Sequence, residues 1–288
     1  MKKICISALA LSLTILSFSQ QNVQIQNKKG LNIIPVKGNV AIGVNALPVL
    51  SFVGDLFGHI ESNQSLWSEK FISNFASNTL FGKYMITDNS AIRAHIRVGQ
   101  FNINLKNNID DNGQSDQIHT VVDMLDEKRS VYNFGAGYEW RKGESRLRGI
   151  YGGELFYQYR NTSRVYEYGN PIQDGNFAPS STNWSGVFVA GPNASFARPI
   201  TDEAGSYHGI GARAFAGIEY FFAPKICIGT EFGMGLTTGR QGDFNRTIEF
   251  WDTETNAINT TEIITAGQSN LTIDTDNFNG ALYLMFYF

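Results

Sequence analysis

Residues 130–160 read SVYNFGAGYEWRKGESRLRGIYGGELFYQYR. In the first part Tyr132, Phe134, Ala136, Tyr138 and Trp140 alternate with Asn133, Gly135, Gly137 and Glu139. In the second, Tyr151, Leu155, Tyr157 and Tyr159 alternate with Gly152, Glu154, Gln158 and Arg160. A period of two is the mark of a strand with two unlike faces. The polar run KGESRLR (Lys142–Arg148) between them is short enough to predict an antiparallel hairpin. The polar faces are rich in glycine, which serves a solvated surface poorly and suits a crowded interior. The apolar faces are aromatic near their ends.

The same alternation recurs along the chain. It predicts eight strands: Asn39–Leu50, Asn78–Ile86, Ala91–Leu105, Ser130–Arg141, Gly149–Arg160, Tyr207–Phe222, Lys225–Thr237 and Asn277–Phe288. A tilted strand needs about 9–11 residues to cross a bilayer, and these lengths suffice. Short connections (Thr87–Ser90, Lys142–Arg148, Ala223–Pro224) alternate with long polar ones over about 51–77, 106–129, 161–206 and 238–276. Outer-membrane barrels have short periplasmic turns and longer extracellular loops. The expected fold is therefore all-β: an eight-stranded antiparallel transmembrane β-barrel with short periplasmic turns, long extracellular loops and both termini in the periplasm. Tyr132, Tyr159 and Phe278 would mark one interfacial girdle, and Tyr84, Trp140, Tyr220, Phe222 and Phe288 the other. A hairpin over 246–266 could raise the count to ten strands. The competing reading, a soluble β-sandwich or barrel, would put the apolar face in the core.

Composition agrees with this reading. Only 17% of residues are charged and 13% are aromatic, against about 25% charged in an average soluble domain. That excludes a disordered chain. Lys and Arg number 23 against 26 Asp and Glu, which argues against a nucleic-acid partner. Residues 1–19, MKKICISALALSLTILSFS, have a basic start, an apolar stretch and small Ser17 and Ser19 before Gln20, as a secretory signal peptide does. The expected division is 1–19 signal peptide, 20–38 periplasmic N-terminal segment and 39–288 barrel domain. Without the signal peptide, Cys227 has no cysteine to pair with.

The chain resembles the small bacterial outer-membrane barrels of the OmpA/OmpX type. The resemblance rests on the signal peptide, the short/long alternation and the final ALYLMFYF (Ala281–Phe288). It is architectural and spans roughly residues 39–288. It implies a Gram-negative outer-membrane location and an aromatic C-terminal signal read by the barrel-assembly machinery, here Leu282, Leu284, Phe286 and Phe288. The glycine common earlier in that signal is replaced by Tyr283. The resemblance brings no catalytic motif and no peptidoglycan-binding domain.

Alternation aims Lys83, Arg93, His95, Arg97, Arg141, Arg160 and Arg213 inward, together with Glu139, Glu154, Glu219 and Glu231. An eight-stranded barrel is just wide enough for its side chains to fill, and buried opposite charges pair. The lumen is expected to be plugged by ion pairs. The leading functional expectation is a structural or surface-interaction scaffold without catalysis, monomeric. Its surroundings would be outer-membrane lipid and lipopolysaccharide, and an extracellular ligand of unknown kind would meet the loops. The alternative is a narrow porin-like channel; a lipid-modifying or proteolytic enzyme is more distant. Ser206 and His208 lie near the end of the sixth segment, but no catalytic motif surrounds them. Asn108, Asp110, Asn112, Gly113 and Asp116 follow half of a calcium-loop spacing, yet Asn108 and His119 stand where acids are required, and a solvated loop tip is expected instead. No metal or cofactor is expected. A helix over Leu66–Phe75 and a short apolar run at Gly186–Gly191 are further loop features.

Overall fold

A computed structural model describes residues 25–45, 80–113, 119–184, 189–190, 196–275 and 281–288. The expectations for 1–19, Leu66–Phe75, Asp116, Phe278 and most of Gly186–Gly191 lie outside them. The strands are β1 (Val40–Asn45), β2 (Leu80–Thr87), β3 (Ser90–Asp110), β4 (Thr120–Lys142), β5 (Leu147–Glu167), β6 (Val189–Ala190) and β7 (Phe196–Ala223). They continue with β8 (Ile226–Gln241), β9 (Phe244–Asp252), β10 (Ala257–Thr265), β11 (Ser269–Thr275) and β12 (Ala281–Tyr287). Every strand pairing is antiparallel.

Eight strands close on themselves. The ring runs β1-β2-β3-β4-β5-β7-β8-β12 and returns to β1 through the Ala41–Tyr287 to Asn45–Tyr283 register. The alternation read in the sequence sets the faces. Leu155 is 69% exposed and Val98 61%, while Glu139 and Glu219, on the opposite face, are fully buried. Apolar side chains therefore point out and charged ones in, the inverse of a water-soluble sheet protein. Aromatic rings gather near both ends of the outer wall. Trp140 stacks on Tyr151 at one end, and Tyr132 on Tyr159 at the other.

The short connections all lie at one end: Asp88–Asn89, Gly143–Arg146 and Pro224–Lys225. Residues 25–38 fold across that end. Ile33 and Ile34 are buried against Met85, Ala91, Ile150, Phe221, Cys227 and Met285. The backbone secures the segment, since Lys225 N–H donates to the Ile33 carbonyl (2.9 Å) and Gly38 N–H to that of Met85 (2.8 Å).

At the other end the structure corrects the expected long loops. The stretch 106–129 is largely strand, and 161–206 begins and ends in strand around the irregular segment 168–184, because β3, β4, β5 and β7 run well past the rim. Their extensions are polar on both faces in places, so hydropathy reads them as loops, yet continuous ladders join them from Ser90–Trp140 to Asp110–Thr120. The stretch 238–276 is corrected likewise. β9 takes over from β8 beside β7, and β10 and β11 return along them in one register: Thr265 faces Phe244 and Ser269 faces Arg240. The expected hairpin at 246–266 thus exists as β9 and β10, but it stands above the ring and adds no strand to it. Pro199 lacks an N–H, and the β7–β9 register slips between Pro199 and Thr201.

Candidate functional site

The charged layer inside the ring is built by alternate residues of six strands. Lys83 Nζ lies 2.6 Å from Glu139 and 2.7 Å from Glu219. Arg93 meets Glu231 through two nitrogens, at 2.8 and 3.0 Å, and approaches Glu154 at 3.3 Å. Arg213 bridges Glu231 at 2.8 Å and Glu154 at 3.2 Å. Arg141 pairs with Glu219. His95 Nε2 lies 2.9 Å from the Asn133 side-chain oxygen and Nδ1 3.8 Å from Glu154. Arg93 also lies 3.6 Å from Glu139, so nine of the eleven expected interior residues form one connected network. Arg97 is buried on the same face of β3 as Arg93 and His95. Arg160 is exposed rather than part of the buried layer; it stands higher, with its guanidinium 4.4 Å from the centre of the Tyr207 ring.

Glycine makes room for this layer. A Cβ on Gly135 would fall 2.0 Å from His95 Cε1, and one on Gly152 2.0 Å from the Tyr138 carbonyl oxygen.

Several residues of the site escaped the sequence reading. Tyr283 donates to Glu219 at 3.0 Å, and the Tyr287 hydroxyl stands 3.4 Å from the same carboxylate. The signal was present, because both alternate with the outward Leu282, Leu284, Phe286 and Phe288. Arg148, expected in a turn, is buried beside Arg141 and Glu219. Phe215 lies under the Arg93 guanidinium at 4.1 Å.

Above the rim a second polar cluster holds the strand extensions together. Arg246 meets Asp202 with two bonds of 2.6 and 2.7 Å, and Tyr166 donates to the same carboxylate at 2.9 Å. Burial and the Asp202 charge push the Tyr166 phenol up to about 12. Burial opposes ionisation of Glu127, but hydrogen bonds and charge from Arg164 and Arg129 hold its carboxyl below the usual range. Asp123 is fully buried and ties down the segment after β5 by accepting from Gly169 N–H (2.9 Å) and Thr182 N–H (2.6 Å). Asn108 and Asp110 of the calcium-like spacing belong to strand β3, and the Asp110 carbonyl accepts from the Asn170 side chain at 2.9 Å.

Ser206 and His208 lie on the outer wall. His208 Nδ1 is 2.8 Å from the Tyr157 hydroxyl, and Ser206 Oγ 3.1 Å from that of Tyr159. Among the described residues, neither bonds the other, so no serine–histidine relay is assembled.

No protein-family model matches the chain, and no curated protein matches it either.

Proposed function

We propose that this chain is an eight-stranded outer-membrane β-barrel that acts as a closed scaffold. It would hold a rigid β-sheet extension outside the cell and carry out no catalysis. The observation behind this reading is the inversion of the ring, with an apolar outer wall around a buried ion-pair layer. In hydrocarbon every backbone polar group must be paired within the protein, and a closed ring of strands satisfies this. The aromatic rings near both ends of the wall fit the two interfaces. The short connections would face the periplasm and the extension the medium. Two layers favour a closed interior over a channel: the charged network, and beneath it the cap made by Ile33 and Ile34. Long elements on a rigid support are where binding surfaces are commonly built. That supports surface interaction by the extension.

The test is conductance of the refolded mature protein in a planar bilayer. Insertion is checked separately by a shift in electrophoretic migration on heating and by protection of the strands from protease. An inserted and electrically silent protein is expected. Steady conductance steps would overturn the closed scaffold in favour of a narrow channel. Failure to insert would overturn the membrane reading itself.

A further inference from the structure

The outer wall carries a polar hollow directly above an apolar furrow. The hollow, about 350 Å³, is lined by Ser206, His208, Arg240, Gly242 and Asp243. The furrow, about 600 Å³, has Ala136 and Ala212 in its floor and Phe134, Leu155, Ile210, Leu236 and Leu271 around it. The two are continuous along the strands. His208 is followed on the same face of β7 by Ile210, and Arg240 is preceded on that face of β8 by Thr238, which also lines the furrow. His208 and Arg240 are direct cross-strand partners, so their side chains begin about 5 Å apart.

We propose that this wall binds a phosphorylated glycolipid of the outer leaflet, with its sugar phosphate in the hollow and an acyl chain in the furrow. The inference rests on the membrane reading above. The chemistry of the hollow selects the ligand. Arg240 supplies a permanent cation and a bidentate fork for phosphate. In the tautomer in which the Tyr157 phenol donates to His208 Nδ1, Nε2 carries a hydrogen and offers a second donor. Ser206 Oγ, steadied by Tyr159, adds a hydroxyl. Asp243 would repel a bare anion. Its Oδ1 already accepts from Gly267 N–H at 2.8 Å, and the other oxygen suits a sugar hydroxyl or amide. A cation next to a carboxylate therefore fits a phosphorylated sugar better than a simple phosphodiester head. The furrow begins where an acyl chain would leave that head.

The test uses the full mature protein, refolded into zwitterionic detergent and analysed by native mass spectrometry. The probes are lipid A, dephosphorylated lipid A and phosphatidylglycerol, with insertion into vesicles scored on the same samples. Lipid A retention is expected to exceed that of both other lipids. Arg240→Ala and His208→Ala should each lower it by about tenfold, the scale of one lost charge-assisted contact. Lys142→Ala, at the opposite end of the wall, should leave it unchanged. Equal retention by the Arg240 and His208 variants overturns the site while leaving the barrel standing. Equal retention of phosphatidylglycerol overturns the glycolipid assignment. A protein that does not insert overturns both the site and the membrane reading.

Discussion

Glu219 is the residue on which most of the interior converges. Its two oxygens receive Lys83, Arg141 and Tyr283, with the Tyr287 hydroxyl close by, and it has no exposed surface. Removing one partner of a buried ionic network leaves the others desolvated and unpaired, at a cost of about 3–5 kcal/mol. Glu219→Ala should destabilise the folded protein by roughly that amount, read from urea unfolding in lipid vesicles. Lys83→Met in the same chain should recover part of the loss, because one stranded cation is removed. A double variant as unstable as the sum of the single ones would show that the two groups are not coupled. The glycines make a sharper contrast. The Cβ of Gly152→Ala would meet a backbone oxygen, which cannot swing aside, whereas that of Gly135→Ala would meet the His95 ring, which can turn. Gly152→Ala should therefore cost more stability in the same assay. The expected charges were legible because period-two alternation assigns every second residue to one face. Tyr283 and Tyr287 were equally legible by that rule, but the terminal aromatics drew the reading to the outward face. Arg148 was hidden because a polar run between strands reads as turn.

At the scale of elements, the strand cores were legible and their upper ends were not. Between Lys106 and Asp110 β3 carries polar residues at every position but Ile109, so hydropathy has no contrast to report. What keeps these extensions in strand form is pairing with neighbours and the ionic contacts of their upper face. The cap is illegible for another reason. Ile33 and Ile34 form an apolar island without periodicity, and only the folded ring shows what they cover. The polar cluster above the rim carries a pH dependence with two limbs. Glu127 ionises more readily in the fold than in an unfolded chain. Its contribution is present above the ordinary glutamate value of about 4.3 and is lost as pH falls through the lower folded value. Tyr166 has the opposite sign. Its contribution is complete below the ordinary phenol value of about 10 and is lost as pH rises through about 12. Limited proteolysis should find the extension resistant between these limits and cut beyond either, with the ring intact throughout. Tyr166→Phe should abolish the alkaline limb and Glu127→Gln weaken the acid one. An unchanged alkaline limb in Tyr166→Phe would assign it to another group. The β9–β10 hairpin should be separable too. Its contacts lie with the extension of β7 and with Phe177 beyond β5, so replacing 245–264 by a short turn should preserve the heat-dependent migration of the ring. Loss of that migration would show that the ring depends on the hairpin.

At the scale of the whole molecule, the interior is obstructed twice and by unlike physics. The charged layer fills the middle of the ring through directional pairs, and the cap closes the short-turn end by burying apolar surface. The two meet at Met85, which packs in the cap cluster and accepts from Arg141, and at Tyr283 and Tyr287, which bond Glu219, but each also has attachments of its own. The cap is held by Lys225, Met85 and the strands around Ile33, and the layer by Lys83, Arg93, Glu139, Glu219 and Glu231. Two seals in series, held mainly by different residues, predict a specific pattern in the planar bilayer. Deleting 25–37 removes the cap and leaves the ion pairs, so that variant should remain silent. Arg93→Ser with Glu231→Ser removes a cation and an anion together, so no charge is stranded opposite a lost partner of that pair. With the cap in place this variant should also remain silent. Combining the deletion with the double serine change leaves neither obstruction whole, and only that protein should show discrete conductance. Conductance from the cap deletion alone would mean that the charged layer is permeable and the cap is the true gate. Conductance from the serine pair alone would mean that the cap leaks. Silence from the combined variant, inserted and folded, would mean that the remaining side chains close the ring by volume alone, as the narrow bore of eight strands permits.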